Sequence, residues 1–100
     1  MKLYPVKLLT VTCEILARDA VISILEGRGV TGYTTYEVAG KGDRGVRGSG
    51  LEGEKNAKVE AVVREEVLTG LVEEISQKLF ADYALVLYVA DVGVARVEKF

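Results

Sequence analysis

The chain has 100 residues, 49% of them hydrophobic and 28% charged, with a net charge of -2. That length holds one modest core, the composition argues against a disordered chain, and the charge gives no general attraction to nucleic acid or anionic membranes. There is no His and a single Cys, Cys13. Ser-His or Cys-His catalysis, imidazole metal sites, thiolate clusters and internal disulfides are therefore excluded.

Val6 to Cys13 is apolar and β-branched and predicts a buried strand. Ala17, Ala20, Val21, Ile24 and Leu25 follow helical spacing, and Gly27 and Gly29 stop that helix. Gly32 to Val38, rich in Thr and Tyr, predicts a second strand. Gly40 to Lys55 shows no periodicity and predicts a long loop. Ala57 to Val63 alternates as a third strand, and Leu68, Leu71, Val72, Ile75 and Leu79 form a second helical stripe. Tyr83 to Val92 is nearly continuous apolar sequence, as expected of an inner strand covered on both faces. The tail from Val94 to Phe100 is expected to add a short strand.

The order βαβ, loop, βαβ predicts an α+β, ferredoxin-like βαββαβ arrangement with an antiparallel sheet and two helices on one face. It forms a single domain over 1–100. Adjacent Leu8 and Leu9 point to opposite faces, as do Leu85 and Val86, so the second face needs another copy of the chain to cover it. The longest apolar run, Ala84 to Ala90, is too short to span a bilayer, and no secretory signal is expected at Met1-Lys2.

Six of the 11 glycines lie between Gly40 and Gly53. Lys41, Arg44 and Arg47 stand there against Asp43, with Ser49 beside them. Interleaved glycines let backbone N–H groups close on an anion, and Arg offers forked donors to phosphate oxygens. The same composition also suits a mobile, solvent-exposed loop, so both readings stand. The order of a Walker A loop is missing, as is the Rossmann pattern followed by a helix. Cys13 reads as a small buried hydrophobe, and Glu65, Glu66, Glu73 and Glu74 as solvated helix charges.

Gly32-Tyr33-Thr34, followed by Gly40-Lys41-Gly42-x-Arg44-x-Val46-Arg47-x-Ser49-Gly50, resembles the loop of PII-like signalling proteins of the SbtB type. Lys58 to Val63 is similar to the strand after the T-loop of PII proteins, and Asp82-Tyr83-Ala84 to the entry into the last core strand. Carboxysome-associated PII-like proteins share this plan. The resemblance implies a homotrimer with adenine nucleotides (cAMP, AMP, ADP or ATP) between subunits. Arg44 and Arg47 would bind phosphate, Gly40, Lys41 and Gly42 shape the loop base, and Thr34 and Ser49 be polar neighbours. Adenine would lie near Asp82, Tyr83, Ala84 and Leu85, held mainly by backbone groups. The implied role is a cytoplasmic regulator rather than an enzyme, with no permanently bound cofactor or metal and no nucleic-acid partner. Its partner would be a membrane transporter for bicarbonate, reached through the T-loop. Weak nucleotide hydrolysis is the enzymatic alternative. The chain lacks the paired cysteines of the SbtB redox segment, and its loop has no Tyr or Gln. The resemblance therefore does not extend to uridylylation or to 2-oxoglutarate sensing through Mg-ATP.

Overall fold

A computed structural model describes residues 1–42, 45–47 and 55–100, with the backbone alone for 40–42, 45–47 and 99. Strand β1 (Tyr4–Glu14) leads through a 3-10 turn (Ile15–Ala17) into helix α1 (Arg18–Gly27). Strand β2 (Thr34–Val38) follows, then two short strands, β3 (Gly40–Gly42) and β4 (Gly45–Arg47). Strand β5 (Asn56–Val63), helix α2 (Glu65–Leu79) and strand β6 (Leu85–Val94) complete the regular elements, before a 3-10 turn at Val97–Lys99. The main sheet has the order β2-β5-β1-β6, and every pairing in it is antiparallel. This is the ferredoxin-like arrangement expected from the element order.

Side chains alternate across a strand, so the register sorts the sequence into two faces. Leu9, Val11 and Cys13 pair with Ala61, Val59 and Ala57 on one side and with Val89, Leu87 and Leu85 on the other. This face meets the helices. Val21, Ile24 and Leu25 of α1 and Leu71, Ile75 and Leu79 of α2 join the buried β1 and β5 residues in one core. Chain reversal after α1 uses Gly29 at φ 85°, a conformation strained for any residue with a Cβ. Across the two helices, Arg28 lies over Gly70 to reach Glu74, its Nε donating to Oε1 at 2.7 Å. Lys78 binds the same carboxylate, and these two cations hold Glu74 below the usual carboxylate range.

Cys13 is fully buried, and desolvation pushes its thiol up to about 11. It fills core volume, as its place at the end of an apolar strand suggested.

Three expectations are corrected. Among the described residues, strand β6 is an edge strand, paired only with β1, and is not covered on both faces. Val86 and Tyr88 are 45% and 47% exposed on the face away from the helices. The tail forms a 3-10 turn instead of a strand, since pairing of β6 with β1 ends at Tyr4↔Val94 and Val97–Lys99 turns back on itself. The loop read as lacking structure holds a hairpin, in which Gly40 pairs with Arg47, Lys41 with Val46 and Gly42 with Gly45. Three-residue strands are too short to show a periodicity.

Leu71 is fully buried between α2 and the sheet. Leu71→Ala should cost about 2–5 kcal/mol by lost burial and cavity formation. Urea unfolding should show this as a lower midpoint with an unchanged slope.

Candidate functional site

The sequence-predicted residues fall in two places on the sheet, most of them at one end and Thr34 on the β2 edge, midway along β5. That end is where β1 stops, β6 starts and the glycine-rich excursion leaves. Val38, the last residue of β2, lies opposite Asn56, which lies opposite Glu14. The excursion is pinned at its return by Ile15 N–H donating to the Lys55 carbonyl at 2.7 Å, with Lys55 Nζ 3.8 Å from Glu37. Asn56 is buried at this junction.

The α2–β6 connection arrives at the same end. Glu14 N–H donates to the Ala84 carbonyl, and Ala84 N–H donates to Glu14 Oε1, both at 3.1 Å. Asp82 and Tyr83 N–H groups both donate to the Leu79 carbonyl, at 3.2 and 3.1 Å. The donors of Asp82, Tyr83 and Ala84 are thus spent inside the chain. The Asp82 and Tyr83 carbonyls accept no bond among the described residues. Leu85 begins β6 opposite Cys13, facing the helices.

The structure therefore brings Asp82, Tyr83, Ala84 and Leu85 to the end from which the excursion departs. Gly40, Lys41, Gly42 and Arg47 belong to the β3–β4 hairpin within it. Arg44 and Ser49 lie outside the described residues. Thr34 is separate. It pairs with Glu60, four positions along β5 from Asn56, on the strand farthest from β6. At about 3.3 Å per residue and 4.8 Å per strand, Thr34 is roughly 17 Å from the start of β6.

Thr34 instead borders a cleft that sequence reasoning missed. Gly29, Thr31, Gly32, Val62, Arg64 and Phe100 line a cavity of about 60 Å³. It adjoins a wider recess of about 390 Å³ that Thr34, Glu60, Tyr33 and Leu8 help to form on the open sheet face. The available signal was the spacing Gly27, Gly29, Gly32 after α1, together with a lone Arg between β5 and α2. Among the described residues no group of three or more acidic or Cys side chains is placed to hold a metal. No described helix is long and apolar enough to cross a membrane.

On the open face, Lys58 stands opposite Tyr36 and near Tyr88. Hydrogen bonding with Tyr88 holds the Lys58 ammonium above its ordinary range, with a further contribution from Tyr36. Glu60 lies two residues along the same strand, so this face presents both charges among exposed apolar and aromatic groups.

The family pattern of Nitrogen regulatory protein P-II matches residues 6–99. The chain belongs to this family. A PII-like signalling protein of Thermus thermophilus is 34% identical, with 100% of this chain and 99% of that one covered and a TM-score of 0.84. CPII, a nitrogen regulatory PII-like protein of Thiomonas intermedia, was solved bound to ADP, AMP and bicarbonate. It is 32% identical, covers 99% of this chain and 96% of its own, and has a TM-score of 0.88. Its apo form is also similar, at 30% identity with 95% and 97% covered and a TM-score of 0.75.

The Glu14 carboxylate is the acceptor that fixes the Ala84 turn. Glu14→Ala should speed amide exchange at Ala84 by at least tenfold and cost roughly 1–2 kcal/mol, while Glu14→Gln, which keeps an acceptor oxygen, should restore most of both. Hydrogen exchange followed by NMR checks this.

Proposed function

We propose that this P-II family chain is a regulatory protein that binds an adenine nucleotide between copies of itself and reports it to a protein partner. The observation that carries this reading is the separation of the two half-sites. The Gly32–Thr34 cleft flanks the second half of β5, and the excursion with its Ala84 turn gathers where β5 begins, on one sheet whose second face lies exposed among the described residues. Packing these faces around a three-fold axis would set one copy's cleft against the next copy's excursion. The bound ADP, AMP and bicarbonate of the Thiomonas relative support the ligand class.

In this reading Arg44 and Arg47 hold phosphate, and Gly40, Lys41 and Gly42 form the loop base. Thr34 and Ser49 supply hydroxyls. The Asp82 and Tyr83 carbonyls receive the adenine amino group, which donates. Nucleotide binding orders the excursion, and the ordered excursion changes its fit to the partner. The chain acts as a regulator rather than an enzyme. The SbtB-like pattern through 32–34 and 40–50 favours a role in inorganic carbon uptake with a bicarbonate transporter as partner. A carboxysome-associated sensor of adenine nucleotide and bicarbonate is the second reading, favoured by the bicarbonate in the Thiomonas structures.

Calorimetric titration with cAMP, AMP, ADP, ATP and cyclic di-AMP, each with and without bicarbonate, tests the ligand. Binding of none of them would overturn the nucleotide reading, and ADP affinity raised by bicarbonate would favour the second reading over the first. Arg44→Ala and Arg47→Ala should each weaken AMP binding about tenfold to a hundredfold, since each removes a charge-assisted bond of roughly 1.5–3 kcal/mol. Lys replacements should recover only part of this, because an ammonium lacks the guanidinium fork.

The oligomer is tested by light scattering. The wild type should be a trimer at micromolar concentration. Val86→Asp, which places a charge on the open face, should shift it toward monomer with unchanged circular dichroism. A monomeric wild type would refute the assembly.

A further inference from the structure

Phe100 is the wall between two spaces. It lines both the cavity of about 60 Å³ and the recess of about 390 Å³, and Gly32 and Val62 line both as well. The smaller space is closed to an aromatic ring, since a cavity on the order of 150 Å³ is what admits benzene. With the Phe100 ring displaced, the two spaces become one cleft running past Gly32 and Val62.

The position of Phe100 depends on one side chain. Strand pairing of β6 ends at Val94. Beyond it, among the described residues, the tail is hydrogen-bonded to the rest of the chain only through Arg64. Arg64 Nε donates to the Phe100 main-chain oxygen at 2.5 Å, and Arg64 Nη2 to the Val97 carbonyl at 3.1 Å. The tail's other bonds are internal: Phe100 N–H donates to the Val97 carbonyl, and Arg96 pairs with Glu98. Arg64 itself sits at the junction of β5 and α2, half-buried and beside the cavity. One guanidinium thus grips two main-chain oxygens of a segment that, among the described residues, is otherwise only packed.

We propose that residues 97–100 form a self-occluding strap, latched by Arg64, that must lift before a ring-sized ligand enters the cleft beside Gly32 and Val62. The inference rests on the nucleotide reading for the identity of that ligand. Ligand binding and latching then exclude each other, so apparent affinity is reduced by the fraction of molecules with the strap down. Arg64 is a positioning residue here. It sets that fraction through its hold on the strap.

The test uses the full chain and two variants, Arg64→Gln, which breaks the latch, and Phe100→Ala, which removes the wall and leaves the latch. Three readouts are taken: Phe100 amide exchange, AMP affinity by calorimetry, and the fluorescence of the apolar dye 1-anilinonaphthalene-8-sulfonate. The Phe100 amide should exchange at least tenfold faster in Arg64→Gln. AMP should bind threefold to tenfold more tightly to both variants, and the dye should be brighter with both than with wild type. Faster exchange with AMP affinity unchanged or weaker in both variants overturns the strap. If AMP binds neither wild type nor variants, the nucleotide reading fails, and the dye decides the strap alone: brighter with both variants supports it, equal brightness overturns it.

Discussion

Strand β1 is paired along nearly its whole length on both sides, and its register settles where every other residue goes. Because Cys13, Val11 and Leu9 fall opposite Ala57, Val59 and Ala61 and opposite Leu85, Leu87 and Val89, three strands present one continuous apolar surface to the helices. A slip of one position would turn this surface outward and bring Thr10, Thr12 and Lys58 against α1 and α2. The alternative is closed by burial of the core side chains, each worth about 1.5–3 kcal/mol. The opposite face follows from the same register. It carries Val86, Tyr88, Tyr36 and Leu8 together with Lys58 and Glu60, too apolar for a face left in water and too charged for a second set of helices.

The legible part of the sequence was the part governed by alternation and helical spacing. Leu71, Ile75 and Leu79 on α2 and Val59, Ala61 and Val63 on β5 name their own element and their own buried face. Strand β6 was harder for a physical reason. An apolar run has the same appearance whether helices cover both sides of a strand or a partner covers one, and Val86 and Tyr88 do not distinguish the cases. The β3–β4 hairpin was hidden because Gly, Lys and Gly pair through backbone groups that carry no side-chain pattern. The cleft beside Gly32 was hidden for yet another reason. It joins the α1–β2 turn, the end of β5 and the tail, segments far apart in sequence and brought together only by the sheet order.

Of the predicted site, the sequence located the excursion and the Ala84 turn but not the distance between them and Thr34. Motif spacing treats residues as neighbours along a line. The register shows Thr34 opposite Glu60, on the far side of the sheet from β6. The backbone chemistry of the Ala84 turn was also invisible, because it depends on a carboxylate, Glu14, seventy positions away. Once that carboxylate and the Leu79 carbonyl take the N–H groups, the turn can only offer acceptors. On the proposed reading, an exocyclic amino group would satisfy that constraint and a carbonyl group would not, which is why adenine suits the turn better than a base with oxygen at the same place.

A site divided between copies makes ligand binding and assembly one equilibrium. On the proposed reading, nucleotide contacts the cleft of one copy and the excursion of the next, so it binds the assembled state and not the separated one. Ligand at a hundredfold excess over its dissociation constant then stabilises assembly by about 2.7 kcal/mol per site. Against this stand the entropy of ordering a segment with six glycines and the work of lifting any strap that covers the cleft. Both costs fall on binding rather than on folding, since the core of β1, β5, α1 and α2 involves neither segment. The arrangement keeps affinity below what the contacts alone would give. It thereby lets occupancy follow changes in ligand concentration, which a permanently filled site cannot do.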